Sequence, residues 1–473
     1  MGRSDKSGAT TVFVCQQCGK ESLRWEGRCP NCQQWNTLVE TVVKATVPSR
    51  IPSRGNLPQE LSQIVTEAKD RFPLLLSEFD RVLGGGLVSG SLVLIGGEPG
   101  IGKSTLLLQV SALVARHKGK VVYISGEETL AQIKLRAERL GLSGEKLYLL
   151  AETDLDVILS HIDQLSPSLV VIDSIQTVNL RELDASPGSI TQVRECTLRL
   201  VHWAKLGSVP VFIAGHVTKD GAIAGPRILE HIVDVVVYLE GEPFSAYRLL
   251  RCVKNRFGST NEVGVFEMRE QGLVEVENPS QVFLSRRQGE AIGSDVGPTL
   301  EGSRPLLVEI QALTNPTSFG LPRRTATGVD FGRLLLTTAV LSKRVGLKLG
   351  NQDIIVNVIG GLKIGEPAAD LGIALAIASS SRNVGVDPQL LAVGEVGLSG
   401  ELRAVSRLDR RVAEAARLGF KRCLVPAGGV GVSPITDLKP DIAVGLSTGL
   451  IKDIELIPLN TIGEAIKVGL VRG

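Results

Sequence analysis

Between Ser91 and Leu239, short apolar runs recur along the chain, and helix-length segments that mix polar and apolar residues separate them. Runs rich in Val, Ile and Leu that stay apolar at successive positions are typical of strands buried on both faces of a parallel sheet. The pattern therefore predicts an α/β fold with a mainly parallel sheet. The predicted strands are Ser91–Ile95, Val121–Ser125, Leu169–Asp173, Val209–Ala214 and Ile232–Leu239.

A glycine-rich segment follows the first of these strands and has the spacing G-x-x-x-x-G-K-[ST] of a phosphate-binding loop. Apolar residues after it follow the spacing of one helix face, at Leu106, Val110, Leu113 and Val114. In such a loop the backbone amides surround a triphosphate, Lys103 contacts the β- and γ-phosphates, and the Ser104 hydroxyl reaches Mg²⁺. We therefore expect ATP and Mg²⁺ to bind here. The expected binding residues are Gly97, Glu98, Pro99, Gly100, Ile101, Gly102, Lys103, Ser104 and Thr105.

Acidic residues stand at the ends of two predicted strands, at the edge where open α/β sheets bind ligands. Asp173 closes one strand, in the position from which a carboxylate holds Mg²⁺ through water. Glu127 and Glu128 follow another strand and could orient the attacking water or accept its proton. A single acid of this kind is equally well explained as a helix cap. Acids at two strand ends beside a phosphate loop favour ATP hydrolysis.

The length of 473 residues allows two or three domains, each with its own hydrophobic core. The 52 Lys and Arg residues against 50 Asp and Glu residues give a net charge of +2, so bulk charge neither favours nor excludes nucleic acid. The first residues lack the apolar segment of a signal peptide, and no run approaches the ~18 apolar residues of a membrane span. We expect a cytoplasmic protein without a membrane partner.

Four of the seven cysteines lie close together near the N-terminus. Their pattern C-x₂-C-x₁₀-C-x₂-C supplies two thiolate pairs on tight turns, which suits a structural, tetrahedral Zn²⁺ site. Two disulfides or a redox pair are the alternatives, and a cytosolic location disfavours the disulfides. The predicted zinc ligands are Cys15, Cys18, Cys29 and Cys32. The other cysteines, Cys196, Cys252 and Cys423, lie in apolar sequence and are expected to be buried thiols.

Residues 1–45 are therefore expected to form a four-cysteine zinc finger. The proline- and serine-rich run Val47–Pro58 has no periodicity and predicts a linker over residues 46–62. An ATPase domain is expected over residues 63–275, and the change in sequence character near Ser285 places a separate domain at residues 285–473.

The ATPase motifs resemble those of the RecA superfamily, a group that includes RecA, the DnaB helicases and KaiC. The resemblance rests on Leu83–Leu92 ahead of the phosphate loop, on Ser-Gly-Glu-Glu at Ser125–Glu128, and on Val-Val-Ile-Asp-Ser at Val170–Ser174. It implies that Glu127 is the catalytic glutamate, with Glu128 as the reserve. It also places His216 where the superfamily carries a polar γ-phosphate sensor, although an ordinary loop histidine explains that position equally well.

A narrower motif is Lys-Asn-Arg-Phe-Gly at Lys254–Gly258. Two cations at i and i+2 on an extended segment point the same way and can grip one anion; a solvated basic loop is the alternative. DnaB-like rings deliver a similar Lys-x-Arg from the neighbouring subunit onto the γ-phosphate. The resemblance implies that Lys254 and Arg256 are catalytic in trans, in a ring of six.

Together with the four cysteines, this motif is similar to the bacterial RadA family, also called Sms, over essentially the whole chain. The resemblance implies a DNA-dependent ATPase and helicase that translocates on single-stranded DNA. It further implies branch migration of recombination intermediates in DNA repair, beside the RecA recombinase.

The C-terminal region resembles the protease domain of Lon, on Gly360–Ala374 and Val393–Leu402. Where Lon carries its nucleophilic serine this chain has Ala368, and where Lon carries its activating lysine it has Arg411. Alanine has no nucleophile, and an arginine that stays protonated cannot act as a base. We expect a Lon-like scaffold without peptidase activity, which the family resemblance assigns to assembly and DNA binding.

Basic residues cluster before the first long helix of this region and along it, and they could contact phosphates. They are Arg323, Arg324, Arg333, Lys343, Arg344 and Lys348. The opposite helix face is expected to be apolar, formed by Leu334, Leu335, Thr338 and Leu341. An ordinary amphipathic surface is an equally good interpretation of this pattern.

Two rival functions follow from the same motifs. An ATP-dependent protease of the Lon type would fuse these domains, but Ala368 and Arg411 oppose it. A nucleotide-switched scaffold, or a regulator like KaiC, would hydrolyse ATP slowly and move nothing. Stimulation of ATP hydrolysis by DNA separates that scaffold from a motor.

Overall fold

The computed structural model describes residues 9–44, 60, 62, 71–216, 226–241, 245–284, 291–318, 320–360, 362–429, 450–451 and 454–471. They form two compact units. One comprises residues up to Gly241 with Arg248–Glu275, and the other comprises Glu242–Tyr247 with Val276–Gly473. Nearly all of the linker expected at residues 46–62 lies outside the described residues. Among the described helices, none is long and apolar enough to cross a bilayer.

The N-terminal cysteines lie on a small antiparallel sheet with the strand order β2-β1-β3. Its strands are β1 Ala9–Cys15, β2 Glu21–Ser22 and β3 Leu38–Lys44. The buried core of this sheet contains Cys15, Cys29 and Leu38, with Phe13 packed beside them. So few apolar side chains, among those that the structure describes here, cannot stabilise a domain without a further cross-link.

The ATPase part of the first unit contains a nine-stranded sheet with the order β14-β13-β12-β11-β6-β10-β9-β7-β8. Its strands are β6 Leu92–Gly97, β7 Val121–Ser125, β8 Leu147–Ala151, β9 Leu169–Asp173, β10 Val211–His216, β11 Val235–Glu240, β12 Tyr247–Asn255, β13 Val263–Arg269 and β14 Gly272–Glu275. Strands β11, β6, β10, β9, β7 and β8 are parallel, and β12 pairs antiparallel with β11. The predicted α/β fold with a mainly parallel sheet is confirmed.

Helices flank this sheet, and a two-stranded hairpin, β4 Arg71–Phe72 with β5 Leu87–Val88, precedes it. The helices are α1 Ser77–Leu83, α2 Lys103–His117, α3 Leu130–Arg139, α4 Leu155–Leu165, α5 Ile190–Gly207 and α6 Pro226–Leu229. Alternate residues of β6 enter different cores: Val93 and Ile95 pack in one cluster with α2, and Leu92 and Leu94 in another with α4 and α5. Because both faces of the strand are covered, its sequence is continuously apolar.

The second unit contains two four-stranded sheets, with the orders β15-β16-β18-β17 and β19-β22-β24-β23, and the hairpin β20-β21. Its strands are β15 Ser294–Glu301, β16 Arg304–Pro316, β17 Arg324–Thr327, β18 Gln352–Val358, β19 Leu390–Ala392, β20 Glu395–Val396, β21 Leu402–Arg403, β22 Arg422–Pro426, β23 Leu450–Ile451 and β24 Ile454–Leu459. Its helices are α7 Pro279–Leu284, α8 Phe331–Val340, α9 Asp370–Arg382, α10 Leu408–Arg417 and α11 Ile462–Gly469. Helix α9 is buried from Asp370 to Ser379 and forms the centre of this unit.

The apolar face expected on α8 needs one correction. Leu334, Thr338 and Leu341 are buried, but Leu335 is 43% exposed. Leu335 directly follows Leu334, and a step of one residue turns about 100° around a helix, which carries its side chain off the buried face. The expectation for Leu335 was therefore wrong.

Candidate functional site

The phosphate loop connects the end of β6 to the start of α2. Gly97, Gly100 and Gly102 have φ angles of 156°, 77° and 115°, which side-chain-bearing residues rarely adopt. A Cβ on Gly97 would lie 2.6 Å from the carbonyl oxygen of Leu239. Within the described residues, no side chain caps the first turn of α2. The loop thus presents backbone amides at the positive end of a helix dipole, which is an anion-binding arrangement.

Lys103 is the first residue of α2, and only 3% of it is exposed. Its ammonium group donates hydrogen bonds to the carbonyl oxygens of Gly97 and Glu98, at 2.9 and 3.0 Å. Burial lowers the pKa of Lys103 below its usual range, and the charges of Asp173 and Glu127 partly oppose that shift. The lysine and the two carboxylates therefore share one electrostatic environment beside the loop.

Asp173 and Glu127 come together because their strands are adjacent. Ser125 of β7 pairs with Asp173 of β9, and Glu127 follows two residues after Ser125. The Ser174 hydroxyl donates to Glu127 Oε1 at 2.7 Å. Glu128 instead forms an ion pair with Arg136 of α3. Glu127 thus contacts the residue that follows Asp173, whereas Glu128 is paired with Arg136.

Tyr123 also belongs to this site, although no sequence motif contains it. Its hydroxyl, buried in β7, donates a hydrogen bond to Asp173 Oδ2. Burial and the neighbouring charge of Asp173 raise the pKa of Tyr123 well above its usual value, so the phenol stays protonated and remains a donor. Tyr123 therefore fixes the orientation of the Asp173 carboxylate.

His216 ends β10, and its backbone is in register with Gly97 at the start of the loop. Its side chain and residues 217–225 are outside the described part of the chain. The sensor role of His216 stays a prediction.

Lys254 and Arg256 lie near the amino ends of the parallel strands, whereas the phosphate loop lies at their carboxyl ends; these are the two opposite edges of the sheet. Lys254 pairs with Val236, which pairs with Leu94, three positions before Gly97; the next residue, Asn255, pairs with Val235, which pairs with Val93, four positions before Gly97. At ~3.3 Å per residue, Lys254 lies about 10 Å from Gly97 along the strand direction, and Arg256 lies farther away. These cations therefore do not converge on the phosphate loop of their own chain.

Both cations are held by the turn that precedes β11. Lys254 Nζ donates to the carbonyl oxygens of Glu230 and Val233, at 2.6 and 2.9 Å. Arg256 Nη1 donates to Asp234 Oδ1 at 3.1 Å. Burial and the positive charge of Arg256 lower the pKa of Lys254, whereas Asp234 and Glu230 oppose that shift. The pair thus forms a fixed cationic group at this edge.

The four N-terminal cysteines form a single cluster, with all Sγ atoms within 4.8 Å of one another. The Sγ atoms of Cys15 and Cys32 are 3.5 Å apart, and those of Cys18 and Cys29 are 3.6 Å apart. Four thiolates at ~2.3 Å from a tetrahedral Zn²⁺ would be about 3.8 Å apart, so the cluster fits zinc. The scattered cysteines Cys196, Cys252 and Cys423 are buried, as predicted.

In the second unit, Ala368 lies in a short 3₁₀ turn, and Arg411 lies on α10. Arg411 is fully buried and donates two hydrogen bonds to the carboxylate of Glu366, at 2.5 and 2.6 Å. Its Nε donates to the carbonyl oxygen of Ser406 at 3.0 Å. The Arg411 guanidinium therefore forms hydrogen bonds that hold the fold together close to Ala368. Position 368 itself carries no serine nucleophile.

Arg333 and Arg324, two of the six basic residues considered for phosphate contact, form side-chain hydrogen bonds within the second unit. Arg333 donates two hydrogen bonds to Asp370, at 2.7 and 3.2 Å. Burial raises the pKa of Asp370 to about 6, although the Val396 amide and Arg333 both favour its charged form. Arg324 donates to the carbonyl oxygens of Gln352 and Leu349. Arg333 and Arg324 thus serve the fold, and Arg323, Lys343, Arg344 and Lys348 are exposed.

Family models match three parts of the chain. Residues 13–40 match a rubredoxin metal-binding domain, residues 59–222 match an AAA domain, and residues 319–429 match subunit ChlI of Mg-chelatase. With the geometry above, these matches define the class: an ATPase with a RecA-like sheet, a zinc ribbon at its N-terminus and a C-terminal domain of the ChlI and Lon type.

Relatives then identify the family. "DNA repair protein RadA" is 53% identical in Halalkalibacterium halodurans over 98% of this chain and 99% of the relative, and 52% identical in Bacillus subtilis over 97% and 98%. The chain belongs to the RadA family of DNA repair proteins. Among solved structures, a KaiC-like protein from Pyrococcus horikoshii covers 44% of this chain and 98% of its own at 23% identity and a TM-score of 0.37, a similarity too distant to bear on function.

Proposed function

We propose that this protein is a DNA-dependent ATPase and helicase that translocates on single-stranded DNA as a hexameric ring. It promotes branch migration of recombination intermediates during DNA repair and works beside the RecA recombinase. Residues 1–45 bind zinc, residues 46–62 are a linker, residues 63–275 hydrolyse ATP, and residues 285–473 serve assembly and DNA binding without peptidase activity. The observation that carries this proposal is the position of Lys254 and Arg256 on the edge opposite the phosphate loop.

Within one subunit, the loop residues bind the triphosphate and orient its γ-phosphate. Lys103 neutralises charge on the β- and γ-phosphates, and Glu127 accepts a proton from the attacking water. The Ser104 hydroxyl and the Asp173 carboxylate are oxygen groups of the kind that Mg²⁺ prefers, directly or through water. Bound Mg²⁺ would supply charge neutralisation for the leaving phosphate oxygens.

Hydrolysis is completed from the neighbouring subunit. Because Lys254 and Arg256 project from the far edge of the sheet, they can contact the γ-phosphate only of a site on another chain. A head-to-tail interface of this kind closes into a ring, in which each subunit supplies a loop to one site and cations to the next. Cations that meet charge developing in the transition state raise kcat more than they tighten ATP binding.

The test is steady-state ATP hydrolysis with and without single-stranded DNA. Lys103→Ala should abolish hydrolysis, and Lys254→Ala should lower DNA-stimulated kcat by about 10²-fold or more, as loss of a transition-state charge does. Lys134→Ala is the matched control, because Lys134 is an exposed lysine paired with Glu138 on α3. If the intact protein hydrolyses ATP at the same rate with and without single-stranded DNA, the scaffold function is favoured instead.

A further inference from the structure

Asp234 is a buried acid that no motif in the chain accounts for. It stands immediately before β11, within the apolar run Ile232–Leu239, and only 2% of it is exposed. A buried carboxylate is costly unless hydrogen bonds and opposite charge compensate it. The groups that contact the Asp234 carboxylate therefore indicate its role.

The carboxylate of Asp234 joins strand β6 to Arg256. Its Oδ2 accepts a hydrogen bond from the Leu92 amide at 3.2 Å, and its Oδ1 accepts one from Arg256 Nη1 at 3.1 Å. Lys205 Nζ, from the last turn of α5, lies 3.4 Å from the same Oδ1. The backbone makes the same connection, because the Asp234 amide donates to the Leu92 carbonyl oxygen and the Arg256 amide donates to the Asp234 carbonyl oxygen, both at 3.1 Å.

Arg256 is held at its backbone and at one end of its side chain, while 47% of that side chain stays exposed. A guanidinium carries five N–H donors in a rigid plane, so a bond to Asp234 from one nitrogen leaves donors for a second anion. An arginine fixed in this way loses less side-chain freedom when it meets a phosphate. Catalytic charge that is already oriented needs no reorganisation during reaction.

We infer that Asp234 is a positioning residue, which holds the Arg256 guanidinium in the orientation that reaches the γ-phosphate of a neighbouring site. This inference rests on the proposed function of Lys254 and Arg256 in trans. The competing explanation is that Asp234 only satisfies the amide of Leu92 and stabilises the start of β6. The two explanations differ in kinetics, because only positioning acts on the chemical step.

Asp234→Asn separates them. Asparagine has the same shape and keeps an amide oxygen that can accept from Leu92, but it removes the charge that holds Arg256. We expect DNA-stimulated kcat to fall by about ten- to a hundredfold, as misplacement of a catalytic group does, with KM for ATP nearly unchanged. Lys205→Gln is the control, since it removes the other cation beside Asp234 and leaves Arg256 in place; its kcat should match that of the unaltered protein.

Arg256→Ala and the double variant complete the experiment. If Asp234 acts through Arg256, the double variant hydrolyses ATP as fast as Arg256→Ala alone. Once the Arg256 guanidinium is absent, removing the charge of Asp234 has no further effect on kcat. A slow Arg256→Ala with a normal Asp234→Asn overturns the inference and leaves the proposed function standing. A normal Arg256→Ala overturns both.

Thermal unfolding of each variant reports damage to the fold. Should Asp234→Asn unfold at a lower temperature, Asp234→Glu provides the second comparison because it restores the carboxylate. Recovery of kcat in the Glu variant above that of the Asn variant supports positioning. Equal kcat in the two variants overturns it.

Discussion

Arg411 is a fully buried arginine with a structural role. A lysine in a Ser-Lys dyad must lose its proton to act as a base, whereas arginine stays charged. In this protein the buried guanidinium is neutralised by Glu366 and bound further by the carbonyl oxygen of Ser406. Its hydrogen bonds are satisfied, so the residue stabilises the fold and has no basic nitrogen to offer a substrate.

We expect Arg411→Met to destabilise the second unit by about 3–5 kcal/mol, because it leaves the Glu366 carboxylate without its partner. The measurement is chemical denaturation followed through the transition of the C-terminal unit. Arg403→Met is the control, since Arg403 is exposed and pairs with Glu401 at the surface, where ion pairs contribute little. Equal midpoints for Arg411→Met and the unaltered protein would contradict a structural role for Arg411.

At the scale of elements, the strands of the ATPase sheet could be predicted because each is buried on both faces and so reads as an apolar run. The phosphate loop, Asp173 and Glu127 follow from local spacing. Tyr123 could not be found in this way: it looks like an ordinary core residue, and only the pairing of β7 with β9 brings it to Asp173. Long-range pairing is information that one-dimensional spacing lacks.

The same limit explains the basic residues of the second unit. Arg333 stands in the first turn of α8, and nothing in its local sequence distinguishes it from a surface cation. Its partner Asp370 is 37 residues away at the start of α9, so only the packed fold shows that the guanidinium turns inward. Asp234 did leave a signal in the sequence, as an acid inside an otherwise apolar run.

The zinc ribbon is the element whose stability depends most on a metal. Because the described part of the ribbon buries few apolar residues, removal of zinc should unfold this small sheet while the nine-stranded sheet persists. Two of the three tryptophans, Trp25 and Trp35, lie in the ribbon, and Trp203 lies on α5. We expect a chelator to release one Zn²⁺ per chain and to change tryptophan fluorescence, with little loss of circular dichroism.

Cys15→Ser should lower the zinc content and give the altered fluorescence without chelator. Cys252→Ala is the matched control, because Cys252 is a buried thiol of β12 outside the cluster. Normal zinc content in Cys15→Ser together with reduced zinc content in Cys252→Ala would show that the predicted zinc ligands are wrong.

At the scale of the whole molecule, the phosphate loop and the cations Lys254 and Arg256 lie at opposite ends of the same sheet strands. Strand β6 ends at the phosphate loop, and the turn that holds Lys254 and Arg256 lies beside the beginning of β6. One rigid strand thus separates the group that binds ATP from the group proposed to act on the next site. In a head-to-tail assembly, every complete site is made by two chains.

Mixing two inactive variants tests this arrangement directly. Lys103→Ala keeps the cations and loses the loop lysine, whereas Lys254→Ala keeps the loop and loses a cation; each should be inactive alone. In random equal mixtures, a site with an intact loop and an intact neighbour forms at about a quarter of the interfaces, so up to about a quarter of the normal hydrolysis rate should return. The control mixes Lys103→Ala with the double variant Lys103→Ala/Lys254→Ala, which can form no complete site. If the first mixture stays as inactive as this control while subunits exchange freely, Lys254 acts within its own chain and the trans arrangement is wrong.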